Sequence, residues 1–506
     1  MANNVRINVI VNIIRTLVLT LLSFITFPWV CRYLGDSALG TYTWANTFVG
    51  YFLILAKIGI PNLAIRECVK VRDNKELLSN KVQMFFLLQL ITTLLSFTLL
   101  TITVFSIPAL RNISSLIFIL TINFLSGAFS FEWLFIALEK QFYMSVRSIV
   151  TLALASMMTI IFVTNPDDIY IYALITTSVT FFTSIANVFM VRKYISLKKT
   201  LPYNYKEYVK PLIVLGTLSF VISLYNQTDT FILGIIDETK KEVGSYSVGI
   251  KGIDIIIGVI TALSTVFIPR AAYYYNKDDK RFFNNLNKYS VNICLFIVLP
   301  AIATMTILAK PICGLISGNY TFNNAEDGFE SSYYVLMSLT CMMLTYSLGD
   351  IIYGQILLPM KKEKYYLFAI LTGSLLNIGL SFLLGLVIFK NNPAFGVAIG
   401  TAATDLLIVI YLFAITWKYS KVALFNKNSL KILIATLLIT GLTILIYKPI
   451  YNLSIYITSS IPYRLILELL FTVLIDAIIY ILVLILLKEN LIYSFVNKKK
   501  KENYES

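Results

Sequence analysis

Long apolar segments follow one another along this chain, with only short polar gaps between them. Apolar residues make up 58% of the sequence, compared with about 45–50% in soluble domains. A helix needs about 20 predominantly apolar residues to cross the hydrocarbon core of a bilayer. The strands of a membrane β-barrel would be about 10 residues long and would alternate in polarity. The pattern therefore predicts an all-α integral membrane protein.

Fourteen transmembrane helices are predicted. The corresponding segments lie at residues 9–30, 39–60, 82–107, 114–137, 143–164, 169–192, 210–236, 244–268, 285–309, 331–357, 365–388, 395–417, 429–448 and 462–487. The gaps between them are too short to hold a soluble domain, so we expect no catalytic module outside the membrane.

The basic residues are concentrated in every second gap. Of the 42 Lys and Arg residues, thirty lie on one side, including the gaps at 66–81, 192–210 and 270–288. Eight lie on the other side, and four lie inside apolar segments. Because short loops rich in Lys and Arg stay cytoplasmic, we expect both termini to be cytoplasmic and the protein to be multi-pass in a bacterial plasma membrane. The net charge of +15 then reflects contact with anionic membrane lipid, and no nucleic-acid partner is predicted.

Several kinds of chemistry have no support in this sequence. The chain has no histidine, which removes the commonest metal ligand and the usual general base. Its five cysteines lack ligand spacing, and no phosphate-binding GxxxxGK[ST] loop occurs. We therefore predict no catalytic residue, no metal site and no cofactor, apart from a coupling H⁺ or Na⁺.

A short motif recurs at an offset close to 200 residues. Residues 40–42 (GTY) open the second segment and residues 244–246 (GSY) open the eighth. An even number of crossings separates them, as in transporters built from parallel repeats; chance recurrence is the alternative. The repeat predicts six-helix lobes at 1–200 and 201–425, related by a pseudo-two-fold axis, with two added helices and a basic tail at 426–506.

Several stretches resemble one family of membrane proteins. They are residues 26–35 (TFPWVCRYLG), 40–42, 58–62, 132–134, 244–246 with Lys251, and 354–359 followed by Lys361 and Lys362. In this order and position they are similar to the polysaccharide repeat-unit flippases of the Wzx type. These belong to the multidrug/oligosaccharidyl-lipid/polysaccharide exporter superfamily. The turn at 237–242 is longer than the family pattern.

The resemblance implies a fold and a substrate. The fold would be two six-helix lobes in a V shape, as in MATE transporters, plus two C-terminal helices. The substrate would be a polyprenyl-diphosphate-linked oligosaccharide, moved from the inner to the outer leaflet for surface polysaccharide synthesis. A polysaccharide polymerase and a chain-length regulator would be potential partners.

Lys251 and Asp254 form the strongest candidate site. They are three residues apart and so lie on one face of segment 8. Charged groups inside a membrane segment usually face a water-filled cavity or a partner, and a lysine in a cavity would bind phosphate oxygens. A structural ion pair that holds segment 8 to a neighbour is the alternative.

Three further cations lie in the apolar segments. Arg15 is placed to bind the diphosphate from the inner leaflet, or to extend its guanidinium to the inner interface. Lys57, one turn from the inner end of segment 2, is a further diphosphate candidate, although extension to the interface is favoured there. Arg147 begins segment 5 and is interpreted as a topology determinant. Trp133 is predicted to lie in the interfacial aromatic belt.

Three carboxylates are candidates for ion coupling. Asp229, Asp350 and Asp405 lie in segments 7, 10 and 12, where a carboxylate could bind H⁺ or Na⁺. Hydrogen bonding between helices is the alternative for Asp229 and Asp405, and it is the preferred interpretation of Asp350 and Asp476.

We therefore predict a flippase that works by alternating access and performs no covalent chemistry. The first alternative is an ion-coupled drug or cation exporter of the same fold, which the intramembrane cations Arg15, Lys57 and Lys251 disfavour. The second is a polytopic polymerase or glycosyltransferase, which would carry acidic catalytic residues on a large outer loop.

Overall fold

The computed structural model describes residues 2–196, 205–320, 322, 328–458 and 460–492. In the first helix, side chains are described from Ile14 onward. The basic tail predicted at 498–501 lies outside the described residues.

Nineteen α-helices occupy the described part of the chain. In order they are α1 (Ala2–Lys57), α2 (Ile60–Lys70), α3 (Lys75–Ser106), α4 (Pro108–Arg111), α5 (Ser114–Leu120), α6 (Ile122–Ala128), α7 (Glu132–Ala137), α8 (Gln141–Phe162), α9 (Ile169–Val191), α10 (Lys206–Ile236), α11 (Lys241–Asn276), α12 (Lys280–Ile307), α13 (Ala309–Ser317), α14 (Ser332–Ile351), α15 (Glu363–Phe382), α16 (Pro393–Ile415), α17 (Trp417–Leu424), α18 (Lys427–Ile457) and α19 (Ile461–Leu486). A 3₁₀ turn (Pro166–Asp168) precedes α9, and π-helical turns (Ile352–Leu357 and Leu383–Ile388) extend α14 and α15.

Thirteen helical stretches within the described residues are long and apolar enough to cross a membrane. The first of them, Ile14–Lys70, contains both the first and the second predicted segments. The prediction of an all-α, multi-pass membrane protein is confirmed. The number fourteen and the pseudo-two-fold symmetry stay predictions.

A break at Gly35 divides α1 into two helices. Its backbone has φ 74° and ψ 179°, a conformation that glycine adopts without the steric cost a Cβ would bring. Without this break, a 56-residue helix would extend about 84 Å at 1.5 Å per residue, far beyond a bilayer. Gly35 therefore separates the first two predicted crossings, at 9–30 and 39–60.

The chain packs as two compact units, Met1–Gly244 and Ser245–Ser506. In the first unit α1 packs along α3, α8 and α10. In the second unit α14 packs against α12 and α16, and α18 packs against α12 and α19. Helix α10 follows the predicted lobe boundary at residue 200 but packs within the first unit; the predicted lobes themselves stay a prediction.

The two glycines of the repeated motif meet in the first unit. A Cβ added to Gly40 would lie 2.9 Å from the backbone nitrogen of Gly244 and would overlap the carbonyl oxygen of Lys240. Beside this contact, the hydroxyl of Ser37 donates a hydrogen bond to the carbonyl of Thr239 (2.7 Å). We call this contact between 36–44 and 231–244 the glycine junction. Only residues without a side chain allow the backbones to approach so closely.

Trp133 is a core side chain, not an interfacial one. It is 5% exposed, and its ring packs edge-on against Phe85 at 6.3 Å between centroids. The buried residue Phe131 has a left-handed backbone (φ 47°), which separates α6 from α7. This turn directs Trp133 into the core and starts α7 at Glu132.

Candidate functional site

A polar cavity of about 580 Å³ lies in the first unit, between α1, α8, α9 and the short helices α6 and α7. Its charged lining residues are Lys57, Glu132 and Arg147. Eight hydroxyl side chains also line it: Ser126, Ser130, Ser148, Thr151, Thr176, Thr180, Thr183 and Ser184. This combination of cations and hydroxyls suits an anionic, highly hydroxylated ligand.

Each of the eight hydroxyls already donates its hydrogen to a backbone carbonyl. Ser148, for example, donates to the carbonyl of Met144 (2.8 Å) and Thr183 to that of Val179 (2.7 Å). A hydroxyl has one donor and two acceptor lone pairs, so what remains for a ligand is acceptor capacity. The wall is therefore complementary to sugar hydroxyls acting as donors.

Arg147 and Glu132 form an ion pair at the edge of this cavity. The Nη2 of Arg147 donates a hydrogen bond to the Oε1 of Glu132. The Arg147 side chain is only 10% exposed, whereas that of Glu132 is 49% exposed. Because α8 begins at Gln141, Arg147 lies less than two turns into this helix.

Most of the hydrogen-bonding capacity of Arg147 is unused. Within the part of the chain that the structure describes, the buried Nε and Nη1 atoms have no hydrogen-bond partner. A guanidinium carries five N–H donors in a planar fork, and a buried donor without an acceptor costs about 1–3 kcal/mol. The arrangement fits a site whose second anion is supplied by a ligand.

Arg15 and Lys57 join the same region from opposite ends of α1. The guanidinium of Arg15 interacts electrostatically with Glu132 and Arg147. Lys57 lines the cavity, and its Cε would lie 3.8 Å from a Cβ at Gly127. The chain reversal at Gly35 is what brings these two distant positions together.

Lys251 and Asp254 lie in the second unit, on α11. The Nζ of Lys251 is 3.7 Å from the Oδ2 of Asp254, with side-chain exposures of 21% and 46%. Gly249 and Gly252 next to them allow α11 to approach α14, because a Cβ at Gly252 would lie 2.8 Å from the Leu336 side chain. The two residues share a face as expected; their role in substrate binding stays a prediction.

The candidate ion-coupling carboxylates lie in two places. Asp229 is buried on α10 in the first unit and interacts electrostatically with Tyr51. In the second unit, Tyr346 and Tyr366 each interact electrostatically with both Asp350 and Asp405. The structure thus brings Asp350 and Asp405 to one tyrosine cluster. No group of three or more Cys, Asp or Glu side chains suited to a metal ion occurs among the described residues.

Asp476 hydrogen-bonds between helices, as its preferred interpretation expected. Its Oδ2 accepts from the hydroxyls of Thr443 (2.9 Å) and Thr304 (3.3 Å). These contacts connect α19 with α18 and α12.

Sequence reasoning missed the role of Arg147 and Glu132 as a pair. The two residues are fifteen positions apart, and the left-handed turn at Phe131 lies just before them. No helical spacing connects them, so only their tertiary contact identifies the pair. The one available signal was a charge of each sign inside consecutive predicted membrane segments, 114–137 and 143–164.

The family model for polysaccharide biosynthesis proteins matches residues 5–274. This chain belongs to the polysaccharide biosynthesis protein family. A second model, MatE, matches residues 216–383 of this family member. A putative O-antigen transporter of Escherichia coli (strain K12) is 22% identical to it over 390 residues, which cover 77% of this chain and 91% of that relative.

Two solved structures have a fold similar to that of this chain. The lipid II flippase MurJ, in its inward closed conformation, superposes with a TM-score of 0.68 at 19% identity, over 95% of this polysaccharide biosynthesis protein and 99% of MurJ. An inward-facing multidrug resistance MATE family transporter of the MOP superfamily gives a TM-score of 0.59 at 15% identity, over 81% and 96% of the two chains. The fold and the family that the sequence predicted are confirmed.

Proposed function

We propose that this protein transports a polyprenyl-diphosphate-linked oligosaccharide from the inner to the outer leaflet of a bacterial plasma membrane. The observation that carries the proposal is Arg147, a buried guanidinium beside a cavity with a hydroxyl wall, two of whose nitrogens have no partner among the described residues. Two similar proteins, a putative O-antigen transporter and a lipid II flippase, support the same substrate class.

The roles of the residues follow from their chemistry. Arg147 would bind diphosphate oxygens through its planar fork of donors. Arg15 and Lys57 would add positive charge on the same side. The hydroxyl wall would accept hydrogen bonds from the sugars. Lys251, balanced by Asp254, would provide a second cationic position during transport.

The direction of transport is energetically favourable. With the termini and the basic loops in the cytoplasm, the diphosphate moves out of a negatively charged interior. That movement gains about 2.3 kcal/mol per charge for each 100 mV.

Binding of H⁺ or Na⁺ at Asp229, Asp350 or Asp405 would couple a second gradient to the cycle. The two lobes would alternate their openings, and a polysaccharide polymerase with its chain-length regulator would use the product.

Deleting the gene tests the proposal. In a host without an overlapping flippase, lipid-linked repeat units should accumulate on the cytoplasmic face, and surface polysaccharide should fall. The wild-type chain should restore both, and Arg147→Gln should restore neither. Intact polysaccharide together with increased sensitivity to cationic dyes would replace this function with drug export.

A further inference from the structure

An apolar groove of about 860 Å³ runs between α8 and α9 in the first unit. Its lining includes Phe142, Val146, Val150 and Leu154 on α8, and Leu174 and Phe182 on α9. Phe142 and Phe182 are 68% and 67% exposed, so the groove is open along the outside of this unit. From Phe142 to Met158 it follows α8 for about 24 Å, at 1.5 Å per residue.

The apolar groove and the polar cavity share a wall. Arg147, Thr151, Val179 and Thr183 line both. The hydroxyl oxygens of Thr151 and Thr183 lie 2.9 Å apart and bring α8 and α9 into contact at this wall. Arg147 therefore lies where an apolar volume ends and a hydroxylated volume begins.

The adjoining apolar groove and polar cavity together determine which ligand shape fits. A molecule that fills both volumes needs a long apolar chain, an anionic group at the junction and a hydroxyl-rich head. A guanidinium buried to nine-tenths, with Nε and Nη1 unpaired within the described residues, provides the charge complementarity at the junction. The cavity, at about 580 Å³, lies in the volume range of small-molecule pockets.

We infer that the groove between α8 and α9 holds the part of the polyprenyl chain next to the diphosphate while the sugars occupy the polar cavity. Arg147 binds the diphosphate between them. The inference rests on the proposed function and adds a route for the lipid tail: the chain leaves the protein sideways, between two adjacent helices.

Photocrosslinking at single positions tests the location of the tail. A benzophenone amino acid is introduced at Val150 or Leu174 in the groove, at Thr180 in the cavity, or at Met157, an exposed α8 residue that lines neither volume. The protein is purified in phosphatidylglycerol nanodiscs and irradiated with radiolabelled polyprenyl diphosphate. We expect at least tenfold more label at positions 150 and 174 than at 157. Excess unlabelled polyprenyl diphosphate should remove the label, whereas excess phosphatidylglycerol should not.

The other outcomes separate the two proposals. Label at 180 but not at 150 or 174 overturns the groove and leaves the proposed function standing. Equal label at 150, 174 and 157, or competition by phosphatidylglycerol, shows ordinary lipid contact and also overturns the groove. The absence of label at all four positions overturns the groove and the proposed function together.

Filling the groove provides a second test. Val150→Trp and Leu174→Trp should lower repeat-unit transport at least tenfold at unchanged protein abundance, because the indole occupies the volume of the chain. Met157→Trp, on the same helix, should transport normally. Normal transport by both groove variants would overturn the inference, even if their crosslinking were positive.

Discussion

Arg147 and Glu132 share one ion pair but are buried to very different degrees, with side-chain exposures of 10% and 49%. Removing one partner of a buried pair is costly when a buried charge is left behind, by about 3–5 kcal/mol. Here the charge that would be left buried is that of Arg147. Substitution of Glu132 and substitution of Arg147 should therefore change the stability of the protein by different amounts.

We expect Glu132→Gln to destabilise the protein more than Arg147→Gln does. Glu132→Gln leaves the buried guanidinium without its carboxylate, whereas Arg147→Gln leaves a half-exposed carboxylate that still interacts with Arg15. Thermal unfolding in detergent measures this order. Arg72→Gln, which breaks the more exposed Arg72–Glu139 pair (2.7 Å, 34% and 54% exposed), is the control and should change stability by less than about 1 kcal/mol. The reverse order would mean that Arg147 is stabilised by other groups.

Substitutions of Lys251 test its proposed role in transport, in the second unit. Lys251→Ala and Lys251→Glu should abolish transport, and Lys251→Arg should keep part of it because the charge persists in altered geometry. Abundance should stay normal, because the Asp254 side chain is 46% exposed and is not left buried. Lys241→Ala, an exposed position at the start of the same helix, is the control. Recovery of transport in the double variant Lys251→Ala with Asp254→Ala would exclude diphosphate binding by this lysine.

The glycine junction predicts opposite effects for two similar substitutions. Gly40→Ala places a Cβ against the backbone of Lys240 and Gly244, which cannot move cheaply, so we expect a loss of about 1–3 kcal/mol. Gly379→Ala, inside α15, meets nothing within 4 Å and should gain roughly 0.5–1 kcal/mol. The melting temperatures of the two variants measure these opposite changes in stability. Equal changes would show that the close contact at Gly40 is absent.

Glu489, just beyond α19, predicts a pH dependence of stability. Its side chain is fully buried, and this burial raises its pKa above the ordinary value, although Lys431 and backbone amides of Leu491 and Ile492 act in the other direction. The folded state therefore holds this proton more tightly than the unfolded state. The resulting stabilisation is complete below the unfolded pKa of about 4.3, and it is lost as the pH rises through the raised folded value.

Glu489→Gln should remove this pH dependence and raise the melting temperature at neutral pH, because the amide carries no charge to bury. A melting series in detergent from acidic to neutral pH measures the slope. Glu238→Gln, at an exposed position in the turn before α11, should leave the slope as it is. An unchanged slope in Glu489→Gln would assign the effect to another group.

Membrane orientation is checked by labelling single cysteines in intact cells. Cys341 is exposed and the other four native cysteines are buried, so Cys341→Ala gives a nearly silent background. A membrane-impermeant maleimide should then label Asp167→Cys and Asn391→Cys from outside. It should label Asp73→Cys only after permeabilisation. All three positions are exposed. Labelling of residue 73 from outside would overturn the orientation that the basic gaps predict.

The apolar segments predicted most helices closely because length and hydropathy decide membrane crossing. The segment predicted at 169–192 is α9 (Ile169–Val191), and that at 143–164 is α8 (Gln141–Phe162). The segment at 114–137 was predicted as one helix, but it consists of α5, α6 and α7. The left-handed turn at Phe131 causes its last break, and hydropathy carries no signal for such a turn.

The site was less accessible to prediction than the fold. Lys251 and Asp254 were found because they are neighbours on one helix. Arg15 and Lys57 were singled out as charges in apolar segments, but the reversal at Gly35 that brings both to Arg147 is a tertiary result. Charge in an apolar segment identifies a candidate, and only packing reveals which candidates meet.

The hydroxyl wall of the polar cavity bears on how freely the transported glycan can vary. Its eight hydroxyls have already committed their hydrogens to backbone carbonyls and offer only lone pairs, which accept over a broad range of directions. Such a surface depends on how many hydroxyls a sugar carries and little on whether each is axial or equatorial. A host that acquires a new glycosyltransferase could therefore exchange one epimer for another in its surface antigen while this transporter remains unchanged.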